Sequence, residues 1–288
     1  MKFGHSLIIS SLLCFSTLQA EEIRIAASDL LAKFIEAPLL KFGAEHEIVF
    51  DIDGIGSLPA LDRLRANEVD LAIIAVPRGS EVPRDEFNIF PFAYDAAIVA
   101  VHENNPLIEI SLAQLAGIFG SNEESNFNTW GDLGLSGWGN RSIKMLSGAG
   151  GDSIALELFK HSAFRQGTMK SSVTVVSPRE VEGLIGSDAS SIAILSKMPT
   201  QQNVKVLMVS PDARSTAFGP SNDNVHYGDY PIRLAFYIAY NQRNSSRLER
   251  VIRALLGDEV ATSLRSHDML PLPDTVRQKL LADLDFEE

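Results

Sequence analysis

Strand-like and helix-like segments alternate along most of this chain, and that alternation limits the folds open to it. The stretch Asp51–Pro77, DIDGIGSLPALDRLRANEVDLAIIAVP, shows the repeating unit. An apolar/polar alternation breaks on two glycines and a serine, an amphipathic stretch follows, and a nearly unbroken apolar run closes it. That order reads as strand, tight turn, helix and buried strand, one βαβ unit. Ser57 then stands where a strand hands over to a helix N-terminus, beside N–H groups that lack helical partners and favour anions. The same serine also reads as a plain helix cap.

The pattern extends in both directions. Glu22–Ser28 reads as a strand, and Asp29–His46 as an amphipathic helix with Leu30, Phe34 and Leu40 on one side. Further on, Ser111–Gly120 reads as a helix and Asn128–Gly134 as a loop. Ser142–Ser147 is a strand running into a glycine-rich turn, with a helix over Asp152–Phe164. Val173–Lys197 is another strand–helix–strand set. Such alternation predicts an α/β fold with mostly parallel sheets covered by helices. Two apolar segments are long for ordinary strands. Phe87–Asn105 is either two strands joined at Pro91 or one chain crossing between lobes, and Asp229–Asn241 reads as a second crossing. Two crossings divide the chain into one lobe of residues 21–91 plus 231–288 and another of residues 92–230. A two-stranded hinge then joins them, with a central cleft where strand C-termini and helix N-termini meet.

The first 20 residues have the pattern of a secretory signal peptide: one Lys, an apolar core from Leu7 to Leu18, and Ala20 before an acidic pair. The core is too short to span a bilayer. Cys14, the one cysteine, lies inside it behind Leu13, which argues against lipid attachment. Removing residues 1–20 from a chain of 288 leaves 268 residues with no disulfide, and moves the net charge from −12 to −13. So acidic a chain repels nucleic acid and anionic lipid surfaces, while its 45% apolar content suits a folded core. The expectation is an exported, periplasmic monomer.

Four places carry a family resemblance. AASDL ends a strand in small residues at Ala26–Leu30, and GIGS precedes a helix. LAGIFGSNEESNFNTWGDLG supplies a helix–glycine–tryptophan segment, and LSGAGGDSIALELF a second glycine-rich loop. In this order they resemble the substrate-binding proteins of ABC importers, most closely the phosphate-binding branch with the two-lobed periplasmic-binding-protein fold. The resemblance covers most of residues 22–270. It implies capture of a small oxyanion, phosphate foremost, for a membrane ABC permease, with no catalysis, cofactor or metal. Carried over position by position, it implies a ligand site at Ser28, Asp29, Leu30, Ser57, Asp70, Gly150, Gly151, Asp152 and Ser153. The acid matching Asp70 would accept a proton from the ligand and refuse a fully ionised anion.

The second loop departs from the family pattern of Arg followed by Asp-Gly-Ser-Gly-Thr. Ser147 stands at the Arg position, Ala149 at the Asp position, Gly151 at the Ser position, and Asp152 replaces a glycine. The cleft loses a cation and gains up to two carboxylates, counting Asp29. Losing one charged hydrogen bond weakens an anion by about tenfold to a hundredfold. Arg78, Arg141 and Lys144 are the replacements in reach, and Asp152 alternatively caps the following helix. A ligand with a cationic or hydroxyl-rich part, or a module that senses or binds a partner on the same fold, stays open. Other chemistry finds little support. GAGG lacks the third glycine of a dinucleotide fingerprint, and no phosphate-loop Lys follows either turn. His46, His102, His161, His226 and His267 lack metal-ligand spacing, His226 being either cleft-lining or structural. An enzyme on this scaffold would need an acid–base pair, and Asp29 with Asp70 is the one candidate.

Overall fold

The computed structural model of the chain describes residues 21–148, 153–165 and 167–285. The expected signal peptide lies outside them. The chain opens with β1 (Glu21–Ala27), α1 (Ala32–His46), β2 (Ile48–Gly54), α2 (Ser57–Arg65), β3 (Leu71–Val76) and β4 (Asn88–Ala96). β1 pairs in parallel with β2 from Glu21 opposite Ile48 to Ala27 opposite Gly54, and with β3 from Ile25 opposite Leu71. α1 buries Ile35, Leu39 and Gly43, one position per turn, on this sheet. Leu40, expected on the buried side, is instead 49% exposed, because the buried stripe runs one position earlier. The helix also begins at Ala32, since Leu31 and Ala32 N–H groups both donate to the Ser28 carbonyl and make a turn of residues 28–31.

The middle of the chain holds β5 (Ile98–His102), β6 (Glu109–Ser111), α3 (Leu112–Phe119), β7 (Gly120–Ser121) and a 3-10 turn at Trp130–Leu133. It continues through β8 (Lys144–Ser147), α4 (Ala155–Ala163), β9 (Thr168–Met169), β10 (Thr174–Val175), α5 (Pro178–Ser187), β11 (Ser191–Leu195), β12 (Val204–Val206), β13 (Met208–Ser210) and α6 (Asn222–Tyr227). The chain then returns through β14 (Arg233–Tyr240), α7 (Ser245–Leu255), α8 (Asp258–Ser266), β15 (Leu270–Pro271) and α9 (Asp274–Asp285). Among the described residues the main sheets are six-stranded, β15-β4-β14-β3-β1-β2, and five-stranded, β10-β8-β11-β5-β12. Each is the centre of one lobe of a two-lobed α/β fold. None of the helices described is long and apolar enough to cross a membrane.

Of the two readings of Phe87–Asn105, a join at Pro91 or one crossing between lobes, the passage between sheets agrees with the crossing. β4 runs through Pro91 and stays in the first sheet to Ala96, and the chain enters β5 two residues later. Proline offers no N–H to a ladder. Here the β4–β14 register shifts between Phe236 and Tyr237, the residues opposite Ala93 and Pro91, and that irregularity takes up the proline. The two crossings are tied together. Ala97 N–H donates to the Ile232 carbonyl at 3.1 Å, and the fully buried Tyr230 hydroxyl donates to the Ala97 carbonyl at 2.7 Å. A buried carbonyl left without such a donor costs about 1–3 kcal/mol.

Candidate functional site

In the first lobe the strands β1, β2, β3 and β4 all end at one edge of the sheet, because β14 runs antiparallel to both β3 and β4. Two turns leave that edge side by side. Ile55 and Gly56 N–H groups donate to the Ala27 carbonyl at 3.0 and 3.2 Å, while Ser28 N–H donates to the Ile73 carbonyl at 2.7 Å. Ser28 is buried by this packing, Asp29 is exposed and Leu30 half-buried. Gly56, with φ of 92°, is the residue before α2, a backbone state that glycine adopts without strain.

Ser57 is therefore the first residue of α2 and not its cap. Its Oγ accepts the Ala75 N–H of β3 at 2.8 Å, which fixes the side chain at the sheet edge and leaves the hydroxyl proton to donate elsewhere. In the first turn of α1 the Ala32 and Phe34 N–H groups donate to the Ser28 and Leu31 carbonyls, while in α2 Pro59 has no N–H and the Ser57 and Leu58 N–H groups have no carbonyl before them in the helix. Both helices open at the same edge, which carries the positive end of each helix dipole.

Asp70 is a correction. It precedes β3, so it sits at the opposite edge of the sheet, level with Arg24 and about 13 Å of extended chain from Ser28. Its Oδ2 accepts the Arg24 N–H at 2.9 Å and Nε at 3.4 Å, and its Oδ1 accepts Nη1 of Arg247 at 2.7 Å. Burial opposes ionisation, but the Arg24 N–H and the two guanidiniums outweigh it and hold the carboxyl below its usual range. Arg247 also pairs with Glu21 at 3.1 Å. Asp70 is thus a structural ion-pair residue, and the acid–base pair of Asp29 with Asp70 does not form.

In the second lobe β8 and β11 are parallel, Ser147 lying opposite Ile194, and both end toward the first lobe. Ser147 is fully buried. Gly148 N–H donates to the Ile194 carbonyl at 2.8 Å, and a Cβ there would lie 2.3 Å from Val181 Cγ1, so the close approach of α5 requires glycine. Gly150, Gly151 and Asp152 lie outside the described residues. Ser153 Oγ accepts the Ala155 N–H at 3.1 Å as α4 begins, with Ile154 preceding the helix. Arg141 and Lys144 belong to the far end of β8. Lys144 pairs with Asp188 at 3.6 Å, and Arg141 lies over the Trp138 ring, 4.4 Å from its centre. Arg78, two residues beyond β3, is the one of the three replacement cations at the cleft edge.

The lobes meet around a cavity of about 290 Å³. Leu30 and Phe34 line it from the first lobe and Ser153, Ile154 and Ser196 from the second, with Asp95, His267, Asp268 and Met269 among the other walls. Of the residues expected at the ligand, Leu30 and Ser153 are brought together in this space; Ser57 holds the sheet edge but is not among its walls. Asp95, Ser196 and Asp268 were not anticipated. Burial pushes the Asp95 carboxyl up to about 6, its own Ala96 N–H opposes this, and the charge of Asp268 adds to the rise. The signal for Asp95 was present: it is the one acid inside the apolar crossing FPFAYDAAIVAV. His226 proves to be braced, its Nδ1 2.8 Å from the Tyr94 hydroxyl. Among the described residues no cluster of His, Cys, Asp and Glu is arranged to hold a metal ion.

Comparison with known proteins agrees with this geometry. A family described as a PBP superfamily domain matches residues 16–258. The chain is 22% identical over 207 residues to the phosphate-binding protein PstS of Pseudomonas aeruginosa, covering 67% of this chain and 63% of that protein. The matched region thus spans less than two thirds of the relative's length. Among solved structures, PstS from Borrelia burgdorferi is similar with a TM-score of 0.68, at 16% identity over 88% of this chain and 99% of the other. A possible phosphate-binding protein from Planctomyces limnophilus gives 0.67, at 17% identity over 92% of this chain and 99% of the other. An ABC-type phosphate transport receptor from Vibrio cholerae gives 0.60, at 17% identity over 87% and 100%. With the family matched over residues 16–258 and the two-lobed α/β fold shared with these structures, the chain belongs to the PBP superfamily.

Proposed function

We propose that this protein is an extracytoplasmic solute-binding protein that captures a small oxyanion, phosphate foremost, and hands it to a membrane ABC permease. The observation that carries the reading is the cavity between the lobes, where Leu30 at the approach to α1 and Ser153 at the approach to α4 face one space. Helix N-termini from both lobes favour an anion there, and an anion held by both favours the closed arrangement. The similarity to phosphate-binding proteins supports the ligand class. The ligand set of this reading is Ser28, Asp29 and Leu30 with Ser57 in the first lobe, and Gly150–Ser153 in the second. The lobes are the units around the six-stranded and five-stranded sheets, hinged at Ala97 and Ile232. The protein performs no chemistry on its ligand; capture and release are hinge motions.

The test is calorimetric titration of ligand-stripped protein with inorganic phosphate, paired with X-ray scattering. Saturable binding with a fall in radius of gyration supports the reading. Silence in both at millimolar phosphate overturns it and leaves a module that senses or binds a partner, the alternative raised by Ser147 at the arginine position.

A further inference from the structure

The inter-lobe cavity has a charge pattern that oxyanion binding alone leaves unexplained. Asp95 and Asp268 both line it, and among the described lining residues there is no lysine or arginine. Asp95 Oδ1 accepts the N–H of Ala96 at 2.7 Å, and no cation is bonded to either carboxylate among the described residues. His267, the remaining ionisable wall, is already engaged. Its ring stacks on Phe34 at 4.4 Å between centres, and its Nδ1 lies 2.8 Å from the Ser263 carbonyl. Lys197 and Arg265 line a neighbouring cavity of about 270 Å³ on the other side of Ser196 and Asp268, where Arg265 pairs with Asp274 at 3.2 Å.

A bare oxyanion at the approaches to α1 and α4 would share this space with the carboxylates of Asp95 and the exposed Asp268, neither bonded to a cation among the described residues. Like charges a few ångströms apart in a partly desolvated pocket repel strongly. A ligand that carries its own cation removes the conflict. Leu30, Ile154 and Met269 supply apolar wall between the polar groups, which suits a short carbon link. We infer that the cavity takes a small zwitterion, with an oxyanion against the turns at Leu30 and Ser153 that lead into α1 and α4, and a protonated amine against Asp95 and Asp268. This rests on the oxyanion reading above and names the ligand class within it.

Calorimetric titration of the ligand-stripped protein with 2-aminoethylphosphonate, ethylphosphonate and inorganic phosphate tests it. The two phosphonates share a carbon–phosphonate skeleton, so their affinity ratio isolates the amine. The ratio should favour the amine by about tenfold or more, the scale of a charge-assisted hydrogen bond. It should fall toward one in the Asp95→Asn/Asp268→Asn double variant, and part of the way in Asp268→Asn, a change on an exposed turn that leaves the fold intact. A ratio near one in the unaltered protein, or a ratio that survives the double variant, overturns the inference. If phosphate or ethylphosphonate saturates while the amine adds nothing, the zwitterion falls and the oxyanion reading stands. If none of the three saturates, both fall.

Discussion

The two edges of the six-stranded sheet treat charge in opposite ways. At the edge where β1 and β3 begin, Asp70 is closed in by Arg24 and Arg247, and Glu21 holds Arg247 and Arg250, so each charge is answered by protein. At the edge where the same strands end, Ser57 keeps a hydroxyl proton to donate, α2 presents the N–H groups of Ser57 and Leu58, and Asp95 lacks a cation among the described residues. The first edge has spent its interactions on folding, and the second leaves groups that the proposed ligand would meet. Satisfied and unsatisfied polar groups on one sheet therefore separate structure from binding.

The largest effect expected from breaking this contrast comes at the satisfied edge. Asp70→Asn puts a neutral amide in place of a buried carboxylate that two half-exposed guanidiniums hold, and weakening those charge-assisted hydrogen bonds costs about 2–3 kcal/mol. Because the Asp70 carboxyl is held below its usual range, its contribution is present above the ordinary carboxylate pKa and disappears as pH falls through the depressed folded value. Denaturant unfolding at pH 7 and at pH 3 should show a wide gap between variant and parent at the first and a narrower one at the second. Ligand affinity measured below the unfolding range should not move. A change in phosphate or sulfate selectivity in this variant would return Asp70 to the site.

The sequence made the order of elements legible and the roles of particular acids less so. The βαβ unit at Asp51–Pro77 was readable because glycines, an amphipathic stretch and an apolar run each carry a local signal. Asp70 was misassigned because an acid before a buried strand looks the same whether it meets a ligand or a guanidinium. Its partner Arg247 is 177 residues away, a separation no local pattern reveals. Pro91 left two readings open: proline usually ends a strand, yet a register shift against β14 lets β4 continue to Ala96. Asp268 was invisible because its importance comes from a turn between α8 and β15 that meets β4 only in the folded chain; there it takes φ of 62°, a state Asp tolerates better than most residues.

The unsatisfied edge makes the opposite prediction for an acid. Asp95 rises from an ordinary value of 3.8 to about 6, chiefly through burial and with the charge of Asp268 adding to it, so folding binds its proton more tightly than the open chain does. Relative to a neutral isostere it is harmless below pH 4, becomes costly as pH rises toward 6, and stays so above. Asp95→Asn should therefore stabilise the ligand-free protein by about 1–3 kcal/mol at pH 7.5, with the gain vanishing near pH 3.5. Thermal unfolding at the two pH values checks this. A destabilised variant at pH 7.5 would mean that a cation already balances Asp95. Taken with the fall expected for Asp70→Asn, it sets two acids of one sheet against each other by the sign of a single charge removal.

Ser57→Ala should give the smallest stability change and the more informative split. The Ala75 N–H loses its acceptor at 2.8 Å, which costs about 1 kcal/mol of folding free energy, because the site is half-buried and water can replace the oxygen. If the hydroxyl proton is held for the ligand, affinity should fall by about fivefold to tenfold as well, the scale of one hydrogen bond. Ser57→Thr separates the two effects, since it restores both the acceptor and the donor on a side chain only one methyl larger. Recovery of stability and affinity together in Ser57→Thr marks a residue that serves the sheet edge and the guest at once. Loss of stability without loss of affinity in Ser57→Ala would confine Ser57 to anchoring α2 on β3, and the open edge would then bind through backbone N–H groups alone.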